Sequence, residues 1–86
     1  MKTTEIAKVK KVLGSHYSPK IIKHLTKLKI FNAVGEQFSA GSIRKIVSGE
    51  QPNADIELKI LQLVAREAKK QAAAQRKRDE ITKNIL

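Results

Sequence analysis

Ile43, Ile46 and Val47 stand at i, i+3 and i+4, the spacing that puts three side chains on one face of a helix. Ser39 precedes them and can accept the first free backbone N–H groups as an N-cap. Gly49 follows and can take the left-handed turn that ends a helix without a Cβ clash. The stretch Phe38 to Asn53, FSAGSIRKIVSGEQPN, is therefore a short helix with a marked start and stop. Its apolar side is narrow, and Gly41, Ser42, Arg44, Lys45 and Ser48 are left on the far side. Pro52 and Asn53 then open the next helix.

The same periodicity recurs on both sides. Thr3 or Thr4 is expected to cap a first helix with Glu5 in its first turn, Ile6, Val9 and Leu13 on its inner face, and Gly14 as its stop. Ser18-Pro19 reads as N-cap and first residue of a second helix, because proline's missing N–H costs nothing there. Ile21, Leu25 and Leu28 face inward from it, with Ile22 at the edge, while Lys20, Lys23 and Lys27 line the opposite side. Residues 29 to 37 are expected to be an extended connection with one helical turn, or a tiny hairpin pairing Ile30-Phe31 with Gln37-Phe38. In this connection Ile30, Phe31 and Val34 are apolar enough to pack.

Asn53 is the expected cap of a longer helix, with Asp55 and Glu57 at its positive end and Ile56, Ile60, Leu63 and Val64 as a buried face. From Ala65 onward there is neither Gly nor Pro, and strong helix formers dominate, so this helix is expected to continue towards Asn84 or to fray into a basic tail. Ala68, Ala72, Gln75 and Asp79 continue the inner stripe too weakly to bury much. Ile81 and Ile85 form a small apolar patch for a partner chain. These elements give an all-α fold, a small bundle of four to five helices. Residues 1–65 form the domain and residues 66–86 a basic helical extension or tail.

With 86 residues, one tyrosine, two phenylalanines and no tryptophan, the chain has room for one small aliphatic core. The absence of cysteine removes disulfide and thiolate chemistry and fits a reducing cytoplasm. No apolar run approaches the roughly 20 residues of a membrane span, and no signal peptide opens the chain, so a soluble cytoplasmic protein is expected. His16, His24 and the scattered acids show no metal-ligand spacing and no nucleophile beside a base. Neither an enzyme, a cofactor nor a small-molecule substrate is expected.

The charge points outward. Lys and Arg number 18 against eight Asp and Glu, a formal net charge of +10. Seven lysines and no acid lie between Glu5 and Glu36, so these lysines are not halves of intrahelical salt bridges. They call for an external polyanion. The short helix at 39–48, with small residues at its start and two bases further on, has the shape and chemistry of one that enters a DNA major groove. The same charge also suits a nucleic-acid packaging or RNA-binding protein that needs no specific base contacts.

YSPKIIKHL, FSAGSIRKIVSGEQPN and DIELKILQLV together resemble the helix-turn-helix family of lambda repressor and Cro-like DNA-binding domains. The likeness is strongest in SxxxIxxIxxGxxPN before an apolar-periodic helix, and it covers roughly residues 15 to 65. It implies that Ile21 to Leu28 belong to the first helix of the motif and that Ser39 to Ser48 form the recognition helix. It also implies a transcriptional regulator, most often a repressor, of a phage, plasmid or bacterial chromosome, acting as a homodimer in the cytoplasm of a bacterial or phage-infected cell. On this reading Ser39, Ala40, Gly41, Ser42, Arg44 and Lys45 contact bases. Ser18, Lys20, Lys23, Lys27 and Ser48 contact phosphates.

Overall fold

The computed structural model describes residues 1–85, so residue 86, the last of the 66–86 segment, lies outside it. Four helices follow one another, α1 Thr3–Leu13, α2 Tyr17–Lys27, α3 Ala40–Ser48 and α4 Ala54–Ile85, with no strand among the described residues. Each turns one apolar face into a single cluster. Val9 and Leu13 come from α1, Tyr17, Ile21 and Leu25 from α2, Ile43, Ile46 and Val47 from α3, and Ile56, Ile60, Leu63 and Val64 from α4. The helices α2 and α4 both pack against the other three. Ile6 and Ile22 are only half-buried at the edge of the cluster.

Three starts and stops obey local chemistry. The Ser39 side chain accepts the Ser42 N–H at 3.1 Å, and Asn53 Oδ1 accepts the Ile56 N–H at 3.2 Å, so α3 and α4 each have one first-turn donor satisfied. Gly49 ends α3 at φ 92° and ψ 0°. Gly49 and Gln51 both donate their N–H to the Lys45 carbonyl at 3.1 Å.

Two starts differ from expectation. Lys2, not Thr3 or Thr4, occupies the N-cap of α1, and the Glu5 carboxylate accepts the Lys2 N–H at 2.9 Å. A glutamate reaching back from N3 closes this end without a capping hydroxyl. Helix α2 begins at Tyr17, which places Ser18 and Pro19 inside its first turn. Burial explains the shift: Tyr17 and Ser18 are only 8% and 5% exposed, so the ring and its neighbour are drawn into the first turn. Proline is still tolerated there, because the first N–H groups of a helix have no intrahelical acceptor.

The connection from Leu28 to Ser39 contains no strand, so the hairpin does not form, and two turns shape the segment. The Lys29 N–H meets the Thr26 carbonyl and the Ile30 N–H meets the Leu25 carbonyl, both at 2.9 Å. This is the Schellman pattern, with Lys29 left-handed at φ 59°. Ile30 then folds back on the core, whereas Leu28, Phe31 and Val34 remain 46%, 44% and 77% exposed. Leu28 was expected inside, but α2 has ended before it and the chain is already turning away. Asn32 organises the rest. Its Oδ1 accepts the N–H groups of Val34 and Glu36 at 3.1 and 3.0 Å, and its own N–H meets the Glu36 carbonyl at 2.8 Å. The side chain substitutes for a strand ladder, in the manner of an Asx turn.

Helix α4 passes residue 65 without a break. Glu67 and Ala68 are still half-buried, and every described residue from Lys69 onward is exposed. The helix is about 48 Å long at 1.5 Å per residue, and it sets the long dimension of a molecule measuring 55 × 27 × 18 Å.

Ile43 and Ile60 are both 0% exposed, so Ile43→Ala and Ile60→Ala should each lower unfolding stability by about 2 to 5 kcal/mol in urea titrations. Lys29→Gly should act in the opposite direction. Relief of the left-handed backbone, less the extra freedom of the unfolded chain, should leave a gain of about 0.5 to 1 kcal/mol in the same assay.

Candidate nucleic-acid interface

Because α3 buries Ile43, Ile46 and Val47, helical geometry turns Gly41, Lys45 and Ser48 directly away from the core, at i, i+4 and i+7. Arg44 lies on one flank of this ridge and Ser42 on the other. Ser39, Arg44, Lys45 and Ser48 are exposed, and Ala40, Gly41 and Ser42 half-exposed. The two serines at the start of the helix are partly committed to each other, since the Ser39 hydroxyl donates to Ser42 Oγ at 3.0 Å. Ser42 keeps its own proton and one lone pair to offer outward. Ser48 donates to the Lys45 carbonyl at 3.1 Å.

Gly41 is the residue the fold does not explain. Its φ is not left-handed, and a Cβ placed on it would meet only Ser39 Oγ, 4.0 Å away. Helical glycine costs roughly 0.5 to 1 kcal/mol relative to alanine. Nothing inside the chain requires that cost, whereas close approach of an external surface to this backbone would.

The basic row of α2 divides in space. Lys20 donates from Nζ to the Leu13 carbonyl at 2.9 Å, so it closes the C-terminal end of α1. Gln71 does the same from α4, donating Nε2 to the Val12 carbonyl at 2.8 Å. Lys23 and Lys27 form the outward crest of α2. On one side of that crest a shallow hollow runs past Pro19, Ile22 and Thr26 to Gln37, in the connection leading to α3. On the other a deeper cleft opens towards Arg66 and Glu67 of α4. Ser18 was expected at a phosphate, but at 5% exposure it offers a ligand little surface. The protein's own packing against the neighbouring helices takes up that side of α2.

The cations are almost all without acid partners. Lys70, 3.8 Å from Glu67, is the one Lys or Arg that forms an ion pair among the described residues. Glu57 is taken by the Met1 amino group at 3.0 Å. No group of three or more His, Asp or Glu side chains among the described residues is arranged to hold a metal ion. No described helix is long and apolar enough to cross a membrane.

His24, half-buried beside Lys27, records the resulting field. Burial first, and then Arg66, Lys27 and Lys59, hold its pKa below the ordinary 6.5, with Glu67 opposing them. The unfolded chain therefore takes up this proton more readily than the folded one. That penalty is absent above about pH 6.5 and grows as pH falls through that value towards the lower folded pKa. Acidification from neutral pH should accordingly lower the melting temperature, and His24→Gln should flatten that slope, as followed by circular dichroism.

Sequence reasoning missed the capping roles of Lys20 and Gln71 and the cation that Arg66 adds opposite the α2 row. Gln71 bridges 59 positions of sequence, a separation at which no local pattern exists. The end of α1 at Gly14, with its carbonyls left open, was the one available hint. No family model, curated protein or solved structure matches this chain.

Proposed function

We propose that this chain is a sequence-specific double-stranded DNA-binding regulator, a repressor by its family resemblance, that lays α3 in the major groove. The observation that carries the reading is the outward ridge of α3, where Gly41 precedes Lys45 by one turn with open space around it. A B-DNA major groove about 12 Å wide admits one helix, and a bare glycine near the N-terminus lets the backbone approach the base edges. Lys45 and Arg44 supply the long donors for guanine, and Ala40 is suited to a thymine methyl. Lys23 and Lys27 on the crest of α2, together with Ser48, position the phosphate backbone. The excess of unpaired cations supplies affinity that falls with salt.

Helices α2 and α3 then act as a helix-turn-helix whose turn is replaced by the Asn32-closed connection. The exposed Ile81 and Ile85, at i and i+4 near the end of α4, join two chains so that two α3 helices meet two half-sites. If so, Ile81→Lys combined with Ile85→Lys should halve the mass seen in sedimentation and weaken a two-part site far more than one half-site.

Gly41→Ala separates folding from binding. The substitution should raise stability by about 0.4 to 1 kcal/mol, because the backbone is helical and the space is open. Duplex affinity, read by fluorescence anisotropy, should nevertheless fall. In parallel titrations, Lys45→Ala should narrow the gap between matched and scrambled duplexes by about 1 to 3 kcal/mol. Lys23→Ala should weaken both equally and reduce the salt slope by roughly 1. An equal loss on both duplexes for Lys45→Ala and Arg44→Ala would favour a non-specific packaging or RNA-binding protein instead.

A further inference from the structure

On the side of the α2 crest away from the connection to α3, the end of α1, α2 and α4 enclose a cleft of about 340 Å³. That volume lies at the small end of the range for small-molecule pockets. Its lining combines Val12, Leu13 and Leu63, the two leucines only 3% and 5% exposed, with Lys20, Lys23, Lys27 and Arg66. We propose that this cleft is a binding site for a small phosphate ester of mononucleotide size, with its phosphates held between Lys23, Lys27 and Arg66.

Three observations support this assignment. Lys23, Lys27 and Arg66, none of them paired with an acid among the described residues, line one concavity together with Lys20, which is bonded to the Leu13 carbonyl, and the single carboxylate of the lining, Glu67, faces Lys70 at 3.8 Å. Arg66, Lys27 and Lys59 also act as a positive field on His24, which a bound dianion would offset. Finally, the cleft is a concavity between α2 and α4, so it fits a small ligand better than the convex backbone of a duplex. The imidazole of His24 lies in the lining beside these groups. It is faced by Lys27 on its own helix and by Lys59, Arg66 and Glu67 from α4, while α1 contributes only Val12 and Leu13 to the lining. A bound phosphate would offset those cations and raise the His24 pKa. Because Lys23 and Lys27 also form the α2 crest, a filled cleft would draw two cations away from duplex DNA. That last consequence rests on the DNA-binding reading, whereas the site itself does not.

The test uses the full chain without DNA. His24 and the exposed His16, on the turn before α2, give separate imidazole signals in proton NMR, so one reports the cleft and the other serves as the control. Addition of ADP at constant ionic strength should shift the His24 signal saturably and move its titration midpoint up by about one pH unit, with His16 unmoved. Inorganic pyrophosphate should also shift His24, because the phosphates carry the contact. Arg66→Gln, an exposed position whose loss should leave the thermal melt unchanged, should weaken ADP by roughly tenfold. Equal movement of both histidines, or of neither, would overturn the site. A His24 shift with a short duplex but not with ADP would overturn the small ligand in favour of the DNA backbone.

Discussion

Three buried side chains on a nine-residue helix decide where the outward ridge of α3 points. A helix as short as α3 does not persist alone in water, so burial of Ile43, Ile46 and Val47 is what holds it. Each fully buried aliphatic side chain contributes roughly 1.5 to 3 kcal/mol. The same contact fixes the rotation of the helix about its axis. Gly41, Lys45 and Ser48 face outward because these three residues face inward, and a slip of one position would turn Arg44 or Ser42 outward, depending on its direction, and Gly41 aside.

The remaining helices position that ridge. Helix α2 packs against α1, α3 and α4, so its lysine crest is held in fixed relation to α3. The end of α1 is fastened by side chains from two other helices, Lys20 and Gln71. One lysine of the basic row is therefore occupied in holding the bundle together, which leaves Lys23 and Lys27 as the free cations of the crest. Electrostatics separates these roles: a lysine bonded to a helix-terminal carbonyl is favoured by the negative end of the helix, while two neighbours that form no ion pair among the described residues are left to an external anion.

Local chemistry made much of this readable in the sequence. The inner faces of α3 and α4, the Ser39 and Asn53 caps and the Gly49 stop are set by residues within one or two turns, and each lies where spacing and side-chain type place it. The turn after α2 was not readable, because a lysine rarely takes the left-handed conformation that Lys29 adopts. The start of α2 moved because burial of Tyr17 outweighed the local preference for a serine cap. Of the candidate interface, the ridge of α3 was visible in the periodicity. The division of the α2 lysines was not, since it depends on where the end of α1 and Arg66 of α4 come to rest.

The most direct test of a base-reading α3 is selection of bound sequences from a random duplex pool, followed by competition of the selected duplex against random duplex at one salt concentration. A groove-reading helix should enrich a two-fold symmetric motif and prefer it by at least about a thousandfold. A pool that stays random, with equal affinity for both duplexes, would contradict the reading and leave α3 as one more basic surface.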